Sequence, residues 1–183
     1  MTKRVAFDID DTLSKSMPKF VSELNLLTGK NIQFESIPEL IKDLPIYSNP
    51  LFSLYSEVGD EVLSSHFREN EASWILNMEV MKDGLAKAKE HAELGHEIFY
   101  ITARPIAVKF ETVQWLMLHG FPVGEVFHNW DKLKMARNYN IDIFYEDNLH
   151  NAKLLADAGI ETYLIDGVHN RQIDLGIERL YWK

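Results

Sequence analysis

Short, nearly uncharged runs alternate with stretches of helical periodicity along most of this chain. The first run, Arg4 to Ile9, is rich in β-branched and aromatic residues. A continuous apolar run of that length suits a central parallel strand covered on both faces. Similar runs fall at Glu97–Thr102, Glu125–His128, Ile141–Tyr145 and Glu161–Ile165. Between them the apolar spacing is helical. Leu85, Ala88, Ala92 and Leu94 form a stripe that Gly95 ends. Pro105 suits the first turn of a helix running towards His119 and stopping at Gly120. Further helices are predicted from Asp131 to Tyr139 and from Asn151 to Ala158, the latter ended by Gly159. Helices separating short apolar strands imply an α/β fold, a three-layer Rossmann-like parallel sheet.

One segment breaks the alternation. Between Ile32 and Trp74 no strand-like run occurs. After Leu13, Ser16 offers an N-cap and Pro18 a first-turn residue. Phe20, Val21, Leu24 and Leu27 then share one helical face, which Gly29 closes. Ser36-Ile37-Pro38-Glu39 reads as a capping box opening a short helix. Pro45 and Pro50 interrupt the next stretch, and Asp60 to Arg68 reads as another helix. Residues 15–79 are therefore expected to form a helical insertion in a core made of 1–14 and 80–183. The segment is too long for a loop. Entering above the strand ends, it is a candidate lid.

Charge changes the picture at the first strand. That strand ends in Asp8, Asp10 and Asp11, three carboxylates in four residues. Like charges this close repel unless a cation is present, and carboxylate oxygens are the ligands that Mg²⁺ prefers. Thr102, Lys132 and the pair Glu146-Asp147 each stand beside a later strand end. In a parallel sheet those ends share one edge, where α/β folds place their sites. A hydroxyl, an ammonium and clustered carboxylates suit a phosphate monoester with its metal. One free carboxylate of the cluster is left to act as nucleophile. The side-chain period of an extended strand puts Asp10 on the side of Asp8, where it can move a proton. Asp11 then points elsewhere, as a cap or a solvated group, and Thr12 supports the loop locally. Thr102, helped by the amide of Ala103, is expected to bind the phosphoryl group. Arg104 either contacts phosphate or pairs with a surface carboxylate. Lys132 is nearer the strand end than Lys134 and follows the N-cap candidate Asp131, so it is preferred as the site lysine.

The order DxDDT, ITAR, DK and YEDNxxxN over residues 5–151 resembles the haloacid dehalogenase-like phosphohydrolase superfamily. The size and the insert are most similar to its 5'(3')-deoxyribonucleotidase-like branch. The resemblance implies an aspartyl phosphate on Asp8 and a general acid/base at Asp10. It implies Mg²⁺ held by Asp8, by the backbone carbonyl of Asp10 and by Asp147, and a helical cap that helps choose the substrate. The family's usual second acidic position is Asn151 here, a departure. Glu146 is read as a supporting group or as the partner of a cap residue. The implied activity is hydrolysis of a phosphomonoester, a nucleoside 5'-monophosphate or another small phosphorylated metabolite. Tyr47, Phe52, Tyr55, Phe67 and Trp74 cluster in the insertion, either as its small core or stacked on a base. Phe52, Tyr55 and Trp74 are the candidates for substrate contact. A phosphoaccepting receiver module is the rival reading, and a catalytically silent binder a third. A receiver, however, carries its Asp on a middle strand, where this chain has Thr102.

Composition narrows the partners. The 183 residues suffice for one domain with a real core, and 46% hydrophobic with 26% charged residues is globular usage. There is no cysteine, so thiolate metal sites are impossible. The seven histidines show no metal-ligand spacing and read as surface or core residues. A net charge of −9 argues against duplex nucleic acid. No apolar run approaches the ~20 residues that span a bilayer, and a strand starting near Arg4 leaves no room for a signal peptide. The expectation is a cytoplasmic monomer or homodimer acting on a small phosphorylated substrate.

Overall fold

A computed structural model describes residues 2–46 and 49–183. Tyr47 lies outside the described residues. The chain runs β1 (Arg4–Phe7), α1 (Ser16–Thr28), α2 (Ile37–Ile41), α3 (Pro50–Leu54), α4 (Asp60–Leu76), α5 (Lys82–Glu93) and β2 (Glu97–Thr102). It continues α6 (Lys109–Leu118), β3 (Glu125–His128), α7 (Lys132–Asn138), β4 (Ile143–Glu146), α8 (Leu149–Asp157), β5 (Glu161–Ile165) and β6 (Arg179–Leu180). The strands form one sheet in the order β3-β2-β1-β4-β5-β6, with every pairing parallel. This is the expected α/β sheet. The two-residue strand β6 is an addition to the expectation, which ended the sheet at β5.

β1 is central because neither of its faces can meet water. Val5 and Phe7 pack with Ile98, Tyr100, Ile143 and Tyr145 against helices on one side. Ala6 packs with Phe99, Ile101 and Phe144 against Met135 and Ala136 of α7 and Leu155 of α8 on the other. Each fully buried large side chain in these layers contributes about 1.5–3 kcal/mol. Chain direction reverses about β1: the path leaves through β2 to β3, then returns to β4 on the other flank. That switch point opens a crevice at the strands' carboxyl ends.

The helices between β1 and β2 bury a cluster of their own. Met17, Val21 and Leu24 of α1 meet Ile37, Leu51, Tyr55 and Leu63, with Val168 reaching in from beyond β5. Phe20 and Phe67 pack against both this cluster and the sheet's. Helix α1 ends at Gly29, whose φ of 71° is the left-handed turn expected there. Two capping expectations do not hold. Ser16 lies inside α1 and donates to Asp10 instead of capping. Ser36 makes no side-chain cap, because its hydroxyl donates back to Gln33. Helix α4 extends to Leu76, well past Arg68, since Trp74 and Ile75 bury against the sheet cluster and carry the helix on.

Candidate active site

The backbone after β1 is folded tightly by its own hydrogen bonds. The Asp8 amide donates to the Tyr145 carbonyl of β4 at 2.9 Å, fixing the strand end to its neighbour. The Ile9 carbonyl accepts from Leu13 at 2.8 Å and Ser14 at 2.9 Å. Asp11 takes the left-handed conformation at the bend, with φ 54°. Its carboxylate accepts from the Met17 amide at 2.8 Å, capping the start of α1. The cap role expected of Asp11 is therefore present, but the residue is buried, not solvated.

Four side chains meet at the switch point. The buried Lys132 ammonium lies 2.7 Å from Asp8 and 2.8 Å from Glu146. Carboxylate oxygens of Asp8, Glu146 and Asp147 lie within 4.8 Å of one another. Burial pushes the Asp8 carboxyl well above its ordinary value; Lys132 opposes this, while Glu146, Asp147 and Asp10 add to it. Burial likewise raises Glu146 against the pull of Lys132. Burial alone would lower Lys132, yet the charges of Asp8 and Glu146 outweigh it and hold the ammonium firmly protonated. The cluster thus carries more negative charge than one lysine offsets. A divalent cation would balance it, and an all-oxygen donor set suits a hard one. Lys134, by contrast, is exposed, and its amide joins the Asp131 cap at 3.0 Å.

Asp10 stands apart from that trio. Its carboxylate is gripped by Arg104, with Nε to Oδ2 at 2.9 Å and Nη2 to Oδ1 at 2.7 Å, and Ser16 Oγ donates to Oδ1 at 2.5 Å. Burial pushes Asp10 up, but Arg104 and Ser16 more than offset it, and the carboxyl lies below its ordinary value. The side chain of Asp10 is therefore occupied with Arg104, which leaves untouched the backbone carbonyl through which its metal contact was expected; among side chains, Glu146 joins Asp8 and Asp147 as the third converging carboxylate. Arg104 itself neither stands free for phosphate nor meets a surface carboxylate; it is buried against Asp10. Thr102 is fully buried, and its hydroxyl accepts from the Arg104 amide at 3.2 Å. Ala103, not Thr102, lines the cavity.

Asp147 is held from behind by residues that sequence reading passed over. His169 Nε2 lies 2.8 Å from its carboxylate, and Asn170 donates to its carbonyl at 2.7 Å. Arg179 of β6 in turn donates to Asn170 Oδ1 at 2.6 Å. Burial would raise Asp147, but the hydrogen bond and charge of His169, with Lys132, hold it below its ordinary value. Burial would lower His169, yet Asp147 and Asp11 bring it up to about 9. Thr12 also reaches Asp147, at 3.4 Å, so its support is not local as expected. No spacing rule in the sequence joins 147 to 169.

Above the carboxylates opens a cavity of about 380 Å³, lined by Asp8, Asp10, Ala103, Lys132, Asp147 and Asn151, with apolar and polar groups from the helical segment. Those groups are Phe20, Asn49, Leu51, Phe52, Phe67 and Glu71. Phe52 is thus where a substrate contact was expected. Tyr55 and Trp74 are not. Tyr55 is fully buried and donates its hydroxyl to Val21 and Asn25. Trp74 packs edge-on to Phe67 at 5.3 Å inside the core. The Glu71 carboxylate has no hydrogen-bond or ion-pair partner among the described residues. Burial, then the charge of Asp10, pushes it up to about 7 against the pull of Arg104.

Solved structures share this fold. The haloacid dehalogenase-like hydrolase SP0104 from Streptococcus pneumoniae matches with a TM-score of 0.68, over 97% of this chain and 93% of that one, at 12% identity. CbbY from Rhodobacter sphaeroides, solved in complex with phosphate, matches with a TM-score of 0.66, over 99% and 94%, at 16% identity. A relative from Halalkalibacterium halodurans, named "Putative nucleotidase BH1399", is 29% identical over 174 residues, 92% of this chain and 82% of its own length. These solved structures show that the chain has the haloacid dehalogenase-like fold, with the motif order DxDDT, ITAR, DK and YEDN set along its strand ends. Residues 65–157, just over half of the chain, match the family model described as PITM 1-3, LNS2 domain, and the chain belongs to that family. Among the described residues no helix is long and apolar enough to cross a membrane.

Proposed function

We propose that this protein is a Mg²⁺-dependent phosphomonoesterase that works through an aspartyl phosphate on Asp8 and takes a nucleoside 5'-monophosphate. The observation that carries the reading is the setting of Asp8. It is buried, paired with Lys132 at 2.7 Å, and opens onto a cavity large enough for a small organic phosphate. Asp8, Glu146 and Asp147 would hold the cation, which neutralises the repulsion between an anionic nucleophile and an anionic substrate.

An Asp8 oxygen attacks phosphorus and the ester P–O bond breaks, leaving phosphate on Asp8. The leaving oxygen takes a proton. Water then adds to phosphorus, the Asp8–phosphate bond breaks, and inorganic phosphate departs. Lys132 positions Asp8 and stabilises the transferring group. Asp10 is the proton-handling residue, and Arg104 keeps it ionised at rest. In that state it can accept the proton of the attacking water; donation to the leaving oxygen requires that the grip loosen and that Asp10 first take up a proton from solvent. The Ala103 amide faces the transferring group, and Thr102 supports the turn that presents it. Residues 15–79 act as a cap on a core of 1–14 and 80–183, and Phe20, Phe52 and Phe67 offer flat apolar faces to a base. A metabolite of this kind fits cytoplasmic residence.

The test is phosphate release from a panel of ribo- and deoxynucleoside monophosphates and sugar phosphates, with Mg²⁺, with chelator, and with Asp8→Asn. Release that needs both metal and Asp8, fastest on a nucleoside 5'-monophosphate, is expected. Release that survives in Asp8→Asn overturns the mechanism, and nucleotides ranking among the poorest substrates overturn the substrate class.

A further inference from the structure

The cavity is unusual in its charge. Asp8, Asp10, Asp11, Glu71, Glu146 and Asp147 line it, against Arg104 and Lys132 as its only cationic side chains among the described residues. Both cations are already engaged. Arg104 is held by Asp10 through two bonds, and Lys132 is shared between Asp8 and Glu146. A divalent cation held by Asp8, Glu146 and Asp147 would be balanced by those carboxylates and so leaves little positive charge to spare for further anions. No cationic side chain in the lining is left to meet a second anionic group; Asn49, Asn148 and Asn151 offer only neutral amide donors.

Glu71 sets where that rule is enforced. It lies one turn after Phe67 on α4, so both side chains leave the helix on the same face. Phe67 is packed against Phe20 at 5.0 Å, which fixes this face of α4 over the strand ends. Glu71 therefore meets the part of a substrate beyond the phosphorus, beside the aromatic faces of Phe20, Phe52 and Phe67. A half-buried carboxylate without a partner is costly in a closed site. A donor N–H or O–H on the leaving group would satisfy it; a phosphate or carboxylate there would repel it.

Resting on the phosphomonoesterase reading, we infer that Glu71 is a specificity residue that admits leaving groups bearing hydrogen-bond donors and rejects those with a second anionic group. The protein takes monophosphates and discriminates against nucleoside bisphosphates and against phosphorylated carboxylic acids.

The experiment compares KM and kcat for a nucleoside 5'-monophosphate and the matching 3',5'-bisphosphate in wild type and Glu71→Gln, at pH 8, where Glu71 is charged. Wild type is expected to favour the monophosphate by tenfold or more, about the value of one well-placed repulsive charge. In Glu71→Gln the two KM values should move in opposite directions: up roughly twofold to fivefold for the monophosphate and down by a similar factor for the bisphosphate. A merely structural defect raises both. Parallel shifts, an unchanged ratio, or equal use of both substrates by wild type overturns the inference while leaving phosphatase activity standing. Failure of wild type to release phosphate from any substrate overturns the parent reading instead, and this one with it.

Discussion

Arg104 closes a fork on Asp10, with bonds of 2.7 and 2.9 Å, although the two residues are 94 positions apart. The guanidinium is 2% exposed and the carboxylate 27%. The carboxylate of Asp8, on the same strand end, has the opposite surroundings: one shared lysine and several like charges. Two aspartates separated by a single residue are thus held in opposite electrostatic states, Asp10 favoured as the anion and Asp8 crowded as one.

That contrast predicts opposite effects on stability in the metal-free protein. Asp10→Asn leaves a buried guanidinium without its counter-ion, and breaking such a pair costs about 3–5 kcal/mol. Partial exposure of Asp10 places the expected loss towards the low end. Asp8→Asn removes a charge its surroundings disfavour, while Lys132 keeps Glu146. It should leave Tm unchanged or raise it by a few degrees. Thermal melts of both variants in chelator check this. A larger loss in Asp8→Asn than in Asp10→Asn contradicts the assignment of states.

The same crowding gives metal binding a pH signature. The folded Asp8 carboxyl lies above its unfolded value, so the apo fold is most favoured below the unfolded value of about 3.9 and loses that contribution as pH rises through the folded one. A cation that needs ionised Asp8 then competes with protons at low pH and relieves repulsion at high pH. The rise in Tm on adding Mg²⁺ should therefore be larger at pH 8 than at pH 5.5. Calorimetry at the two pH values tests it; an equal or reversed shift excludes Asp8 from the metal's surroundings.

How much of this was legible in the sequence depends on the range of each interaction. The strands Glu97–Thr102, Glu125–His128 and Glu161–Ile165 fall where their apolar runs placed them, because a buried parallel strand needs only a local run. β6 was hidden because Arg179–Leu180 is too short to carry a pattern. Lys132 was separable from Lys134 by position relative to the Asp131 cap, again local. The Arg104–Asp10 pair was not legible, since it depends on which strand lies beside β1. Tyr55 and Trp74 looked like Phe52 by type. Only packing distinguishes a ring that fills a core from one that faces a cavity.

His169 shows the same limit and carries a prediction. It holds the Asp147 carboxylate at 2.8 Å from the loop after β5, and Asn170 and Arg179 hold that loop. Groups that orient a metal-binding carboxylate typically change affinity about 10–100-fold when removed. His169→Phe should weaken Mn²⁺ binding, read directly by electron paramagnetic resonance without substrate, by a factor in that range. His169→Gln, which can still donate, should recover part of the loss. Unchanged Mn²⁺ affinity in His169→Phe means that His169 does not position Asp147.

The aromatic residues of the helical segment divide into two groups that stability and kinetics can separate. Trp74 is 4% exposed and packs with Phe20, His66 and Phe67. Trp74→Ala opens a cavity in a shared core and should cost about 3–5 kcal/mol. For a chain of this size that is a Tm drop of roughly 6–20 °C. Phe52 lines the cavity and is only partly buried. Phe52→Ala loses little packing, so its melt should lie within a few degrees of wild type. If Phe52 meets the leaving group, the change appears in KM for a nucleoside monophosphate but not for a small phosphate ester lacking a ring. A Phe52→Ala variant whose KM rises equally for both substrates has lost the shape of the site, not a stacking face. One that melts as low as Trp74→Ala shows that Phe52 belongs to the core after all.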